Sequence, residues 1–210
     1  MVSNPSQSQI SCKKILAVEG LDEKNFFDKL MKDLGITDAQ IEDVGGKNKF
    51  PVKFPALLKR PGFFAADGSS LVTHLAIIRD KDDDAALESV IKIVKDAGLT
   101  PPIKNTEFSD AIPKVGIFIM PGETIEGAML EDLCLKTIEN HPAMKCVNDF
   151  VSCVCALEIK PKNIPKAKAQ TFLAAQPEIV NSVGLGAQKN YWNFESPVLE
   201  ELKQFLIHLK

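Results

Sequence analysis

The apolar positions of this chain fall into short continuous runs separated by stretches with helical spacing. Four runs are typical of buried strands, at residues 13–18, 41–44, 72–78 and 115–120. Helical spacing occupies the stretches between them, at residues 23–34, 55–59 and 83–97. The order β-α-β-α-β-α-β predicts an α/β fold, with a mostly parallel sheet of about four strands flanked by helices.

The last third of the chain lacks this alternation. Helical patterns follow one another at residues 125–139, 145–158 and 165–175, and Ser196-Pro197 has the composition of the start of a final helix. We therefore predict an α/β domain at residues 1–140 and a helical C-terminal extension at residues 141–210. The extension is expected to pack on the domain as part of one compact unit.

Acidic residues directly follow two of the predicted strands. They are Glu19 in the run Val18-Glu19-Gly20-Leu21-Asp22-Glu23, and Asp80 and Asp82 in the run Arg79-Asp80-Lys81-Asp82-Asp83-Asp84. Ligands bind outside the carboxyl ends of parallel strands, and a divalent cation relieves the repulsion between carboxylates gathered there. Asp80 and Asp82 alternate in direction with Lys81, so both can face one Mg²⁺ ion.

A solvated acidic turn is the alternative interpretation of each run. Asp83 and Asp84 are expected to stabilise the start of the next helix, where negative charge is favourable. The hydrophobicity of the strand before Asp80 favours the metal site for the second run. For Glu19 taken alone, the solvated acid would be preferred.

Composition excludes a general attraction to polyanions, because the formal net charge is −3. Contact with a phosphate backbone therefore requires local basic patches. Lys47 and Lys49, in the run Gly45-Gly46-Lys47-Asn48-Lys49, form one candidate patch without the spacing of a P-loop. A second cluster contains Lys160, Lys162, Lys166 and Lys168.

Membrane association and disulfide bonding are not expected. No apolar run approaches the roughly 20 residues that cross a bilayer, and residues 1–9 lack the apolar stretch of a signal peptide. The cysteines number five, an odd count, and none form a Cys-x-x-Cys pair. Reduced, buried thiols in a cytoplasmic protein are the prediction.

The two acidic runs together resemble the Toprim (topoisomerase–primase) family, in which a strand-ending Glu pairs with a later Asp-x-Asp. Val18-Glu19-Gly20 and Asp80-Lys81-Asp82 match that pattern in order, context and separation. The resemblance covers residues 13–139, and the helical tail is similar to that of a bacterial group of small stand-alone Toprim-like proteins. It implies Mg²⁺- or Mn²⁺-dependent phosphodiester chemistry. Glu19 would be a general acid/base or a second metal ligand, and Asp80 and Asp82 would hold the metal.

Further site residues are implied by the overcoming-lysogenisation-defect nucleases, which use a related Toprim half. There, additional acids and a lysine complete a two-metal site. Carried over to this chain, the acids are one of Asp22 and Glu23 and one of Glu131 and Asp132, and the lysine is Lys166 or Lys168.

Topoisomerase and primase activities are disfavoured. The chain has one tyrosine, Tyr191, far from the acidic runs, and lacks zinc-binding cysteine pairs. The expectation is a nuclease acting on DNA or RNA. One alternative is a non-catalytic module that binds nucleic acid or a protein partner, which the negative net charge favours. Another is a small-molecule phosphatase, although that chemistry usually has Thr or Val where this chain has Asp83.

Overall fold

The computed structural model describes residues 9–81 and 84–210, which form four strands and eight α-helices. In chain order they are β1 (Lys14–Val18), α1 (Leu21–Asp33), β2 (Ala39–Asp43), α2 (Phe50–Leu58), β3 (His74–Asp80), α3 (Ala86–Asp96), β4 (Lys114–Met120), α4 (Leu130–Thr137), α5 (Ala143–Cys155), α6 (Ile164–Ala174), α7 (Val183–Gln188) and α8 (Glu200–Ile207). A 3-10 turn, Pro197–Leu199, leads into α8.

The strands form one parallel sheet in the order β2-β1-β3-β4. This confirms the predicted α/β class, the parallel sheet and the helical C-terminal region. The chain moves from β1 outward to β2, and from β3 outward in the opposite direction to β4. The reversal creates a switch point between β1 and β3, where the carboxyl ends of neighbouring strands leave a crevice.

Each face of the sheet carries its own hydrophobic core because side chains alternate along a strand. On one face, Leu16, Ala76 and Phe118 pack with α1 and with the helices of the C-terminal third. On the other face, Ile15 and Ile77 pack with α2 and α3. Both faces are covered, which explains why these strands are nearly continuous apolar runs.

The helices α4 to α8 share the core of the first face with the sheet. The aromatic segment before α8 is part of that core: Trp192 is buried, and its Nε1 donates a hydrogen bond to the Val183 carbonyl at 2.7 Å. Phe194 is also buried and packs against Phe26 of α1. These rings anchor the end of the chain against the first helix.

Several element boundaries differ from the prediction, and three of them bear on the site. β3 ends at Asp80, two residues beyond the predicted end, so Asp80 belongs to the strand. α2 begins at Phe50 with Pro51 in its first turn, a position that tolerates proline. α4 begins only at Leu130, after a loop, whereas a helix from residue 125 was predicted.

The helix expected from residue 83 begins at Ala86. Asp84 precedes it in a turn, and Asp83 lies outside the described residues. Asp84 thus lies directly before the N-cap residue Ala85, and its predicted helix-start role stays a prediction.

The two edges of the sheet are not equivalent. The outer edge of β4 is covered by the segment before it: Thr106 N donates to the Ile117 carbonyl at 2.7 Å, and Phe108 bridges Gly116. The outer edge of β2 pairs with no strand formed by residues 9–81 or 84–210. The sheet is thus closed on one side and open on the other.

All five cysteines are free thiols. Cys134 is buried as predicted, but Cys146 and Cys153 are exposed because they lie on the outer face of α5. Among the described helices, none has the length and apolarity needed to cross a membrane.

Substitution of Gly184 with Ala is expected to destabilise the junction between α1 and α7. A Cβ at this position would lie 2.2 Å from the backbone oxygen of Asp22, so the helices must separate. We expect a loss of about 1–3 kcal/mol in the free energy of unfolding, measured in urea. Leu185→Ala, on an exposed position of the same helix, is the control and should cost less; equal losses would contradict the close approach.

Candidate active site

The crevice at the switch point brings together residues from both acidic runs. Glu19 directly follows β1, and Asp80 is the last residue of the neighbouring strand β3. The backbone N–H of Asp80 donates to Glu19 Oε1 at 3.1 Å. Two residues separated by 61 positions thus meet at the point where the strand order reverses.

Glu19 is held by an arginine that the sequence analysis did not single out. Arg79 Nε donates to Glu19 Oε1 at 2.5 Å, and both side chains are largely buried. The guanidinium group lies over the ring of Phe50, 4.7 Å from its centroid. The only signal for this residue in the sequence was a charged side chain within an apolar strand, directly before Asp80.

The second oxygen of Glu19 faces the Gly45-Gly46-Lys47 loop. A Cβ built on Gly46 would lie 3.0 Å from Glu19 Oε2, so the loop packs closely against the carboxylate. Within the described part of the chain, no hydrogen bond reaches this oxygen. One oxygen of Glu19 is therefore fixed by two hydrogen bonds, and the other lies beside Gly46 without a hydrogen bond from the described residues.

Asp80, like Glu19, has one carboxylate oxygen that accepts a backbone hydrogen bond and one that accepts none from the described residues. Its Oδ1 accepts a hydrogen bond from Leu130 N, the first residue of α4, at 3.2 Å. Burial, together with the negative charges of Glu19, Glu23 and Glu131, raises the pKa of Asp80 to about 8. The Asp80 carboxyl group is therefore protonated at neutral pH unless a cation binds beside it.

Two more carboxylates complete the cluster. Burial raises the pKa of Glu23 to about 7, assisted by the charges of Asp22, Glu19 and Glu131. Burial also raises the pKa of Glu131, whereas the positive charge of Lys166 lowers it. Glu19, Glu23, Asp80 and Glu131 are hereafter called the acidic crevice. The charges of Glu19 and Glu131 raise the pKa values of both Glu23 and Asp80.

Asp22 and Asp132 have other partners. Asp22 accepts hydrogen bonds from Val183 N at 3.2 Å and Gly184 N at 2.5 Å, at the start of α7. Asp132 accepts from the backbone of residues 128 and 129, directly before its own helix, at 2.9 and 3.2 Å. Of each pair of acids that the resemblance implied, Glu23 and Glu131 lie in the acidic crevice, and Asp22 and Asp132 stabilise helix starts.

Asp82, the expected partner of Asp80, lies outside the described residues. Asp84 is fully exposed and pairs with Lys81 at 3.2 Å. Residues 9–81 and 84–210 contain no group of three His, Cys, Asp or Glu side chains arranged as a preformed ligand set. A ligand set drawn from the described residues would thus form as the carboxylates approach an ion.

The donor chemistry of the acidic crevice fits a hard divalent cation such as Mg²⁺ or Mn²⁺. Its ligating atoms are carboxylate oxygens, which these ions prefer. Glu19 Oε2 and Asp80 Oδ2 accept no hydrogen bond from the described residues. Repulsion among the buried carboxylates supplies the driving force for binding a cation.

The candidate lysines have different surroundings relative to the acidic crevice. Lys47 lines a small cavity of about 30 Å³ together with Arg79 and Asp80. Lys49 is exposed at the residue before α2. Lys166 lies in the first turn of α6 and acts electrostatically on Glu131, whereas Lys168 lines a groove with residues of α4 and α5.

The metal-free protein is expected to become more stable when Asp80 is replaced by Asn. The pKa of Asp80 is about 8 in the folded chain and lower in the unfolded chain, so only the folded chain holds this proton between those values. Raising the pH through that window therefore lowers the free energy of unfolding. At about pH 8 in EDTA, we expect a gain of about 1–3 kcal/mol, which disappears near pH 5.

Urea unfolding at both pH values measures this effect. Asp38→Asn is the control, because Lys14 lowers the pKa of the exposed Asp38 carboxyl group. Its ionised form is stabilising above the unfolded pKa, so this variant should show no gain at pH 8. A similar loss of stability for Asp80→Asn at both pH values would contradict the buried, protonated carboxyl group.

A family model described as "Protein of unknown function (DUF3226)" matches residues 13–210. Comparison with curated proteins and with solved structures found no match. The family match extends from the strand before Glu19 through α8. The chain therefore belongs to the DUF3226 family.

Proposed function

We propose that this chain is a Toprim-type nuclease that cleaves phosphodiester bonds of DNA or RNA in the cytoplasm with the help of Mg²⁺ or Mn²⁺. One observation carries the proposal: buried carboxylates from separate elements converge at the switch point of a parallel sheet. Two of them, Glu19 and Asp80, occupy the positions that the Toprim resemblance gives to acid/base and metal-binding residues.

Different residues of the acidic crevice would bind the metal and transfer a proton. Asp80 and Glu19 each present one oxygen that accepts no hydrogen bond from the described residues, and these oxygens would hold the metal. The Toprim resemblance adds Asp82 as a further ligand. A bound divalent ion activates water and offsets negative charge on the phosphate. Glu23, with a pKa of about 7, is suited to accept or donate a proton near neutral pH.

Lys166 is the lysine best placed to assist. Its positive charge reaches Glu131, which brings it near the cluster. A cation there would attract the phosphate and stabilise the charge that develops on it. Lys47, which shares a cavity with Asp80, would contact the nucleic-acid backbone.

A non-catalytic binding module is the second candidate. A groove of about 540 Å³ adjoins the carboxyl end of β4 and is lined by Glu123, Glu126 and Asp84, with Lys81 and Asn105. Acidic walls repel a phosphate backbone and favour a cationic ligand or a protein partner. The acidic groove therefore supports a module that binds a cationic ligand or a protein partner without catalysis.

Cleavage assays separate these candidates. Plasmid, single-stranded DNA and structured RNA are incubated with Mg²⁺ or Mn²⁺, and we expect cleavage of at least one. Glu19→Gln and Asp80→Asn should each reduce the rate by more than about 100-fold, because each removes a carboxylate that would hold the metal. Glu139→Gln, an exposed acid paired with Lys136, is the matched control and should retain activity.

Other outcomes favour the alternatives. Tight nucleic-acid binding without cleavage under either metal would indicate the module. Turnover of a generic phosphate ester that is lost in Asp80→Asn would indicate a phosphatase. Full activity in Asp80→Asn would rule out the acidic crevice as the active site.

The two candidate lysines should differ in importance. Lys166→Met removes the cation near Glu131, so we expect cleavage to fall by about 10-fold or more. Lys168→Met alters a groove on the other side of α4 and should leave the rate unchanged. Rates at saturating metal and substrate provide the comparison, and an effect confined to Lys168→Met would reverse this assignment.

A further inference from the structure

We propose that Arg79 is a positioning residue, which fixes Glu19 so that Oε1 is held by two hydrogen bonds and Oε2 remains available to a metal ion. This inference rests on the proposed function, because it treats Glu19 as a metal-binding group. Arg79 itself contacts Glu19 and would act through it. Its role is to set where the second oxygen of Glu19 lies before any ligand binds.

Two donors converge on a single oxygen of Glu19. Arg79 Nε donates to Oε1 at 2.5 Å, and Asp80 N donates to the same atom at 3.1 Å. A charge-assisted bond combined with a backbone bond fixes both the position and the rotation of the carboxylate. Oε2 is thereby directed to the side that faces Gly46, where the absence of a Cβ leaves room for it.

Both the backbone and the guanidinium group of Arg79 are fixed by neighbouring residues. Its backbone belongs to β3, and the strand pairs it with Ile119 of β4. Its guanidinium group lies 4.7 Å from the ring centroid of Phe50, which is fully buried at the start of α2. Arginine suits this position because it stays ionised when buried and stacks on an aromatic face.

A second buried ion pair shows what a purely structural role looks like. Arg60 Nη1 donates to Glu42 Oε2 at 2.6 Å, and both side chains are largely buried. Glu42 lies within β2, and its other oxygen accepts from Gln40. Both of its oxygens are thus engaged, whereas the Arg79 pair leaves Glu19 Oε2 without a hydrogen bond from the described residues.

The test compares Arg79→Gln and Arg79→Lys with the matched control Arg60→Gln. Mn²⁺ affinity is measured by calorimetry, and folding is checked by thermal unfolding in EDTA. Loss of a group that orients a metal ligand typically weakens metal binding by about 10–100-fold, which we expect for Arg79→Gln. Arg79→Lys should recover part of this affinity, and Arg60→Gln should lose stability but bind Mn²⁺ as the wild type does.

Equal Mn²⁺ affinities for Arg79→Gln and the wild type would overturn the positioning role and leave the proposed function standing. An equal loss for Arg60→Gln would also overturn it, because the effect would follow from lost stability. If the wild type neither binds Mn²⁺ nor cleaves nucleic acid, the proposed function fails, and the role of Arg79 fails with it.

Phe50→Leu provides a second variant if Arg79→Gln does not fold. It keeps the arginine and removes the ring beneath the guanidinium group. We expect a smaller loss of Mn²⁺ affinity, about 3–10-fold, since the guanidinium group gains freedom without losing its bond to Glu19. Wild-type affinity in this variant would overturn the proposal.

Discussion

Mutual repulsion of buried carboxylates is the constraint that shapes this structure. Glu19, Asp80, Glu23 and Glu131 lie in one crevice, and burial raises the pKa of the last three. The fold offsets the repulsion with groups it already possesses: a guanidinium ion on Glu19 and a helix-start N–H on Asp80. An uncompensated partner of such a buried ion pair would cost about 3–5 kcal/mol. These two contacts stabilise the arrangement without a bound ion.

The amino-acid sequence was sufficient to predict the four strands and their parallel sheet. Its strands are continuous apolar runs because both faces are covered, and such runs stand out without any alignment. It was insufficient for α7, whose six residues include Gly184 and Gly186 and have no apolar periodicity. That helix exists because Asp22 and Trp192 hold it from distant parts of the chain. Contacts of this kind leave no local pattern.

The site residues were predicted more reliably from their position at the ends of strands than from their acidic side chains alone. Glu19 and Asp80 followed from the carboxyl ends of two strands, and the structure brings them together. The sequence did not show which of two neighbouring acids enters the site. Asp22 and Glu23 are adjacent, but Asp22 bonds to α7 and Glu23 lies in the acidic crevice. The rotation of a helix about its axis decides between them, and packing sets that rotation. Arg79 went unnoticed because a lone arginine in a strand has no characteristic spacing.

The unequal edges of the sheet restrict how copies of this chain can associate through their strands. β4 has its outer backbone groups engaged by the segment that contains Thr106 and Phe108, whereas β2 meets no described strand on its outer side. Among the described strands, the outer edge of β2 is thus the one that strand addition could use. Two copies joined there would pair β2 with β2 around a two-fold axis and present covered edges at both ends. Such a pairing would join the two sheets into one continuous sheet of eight strands.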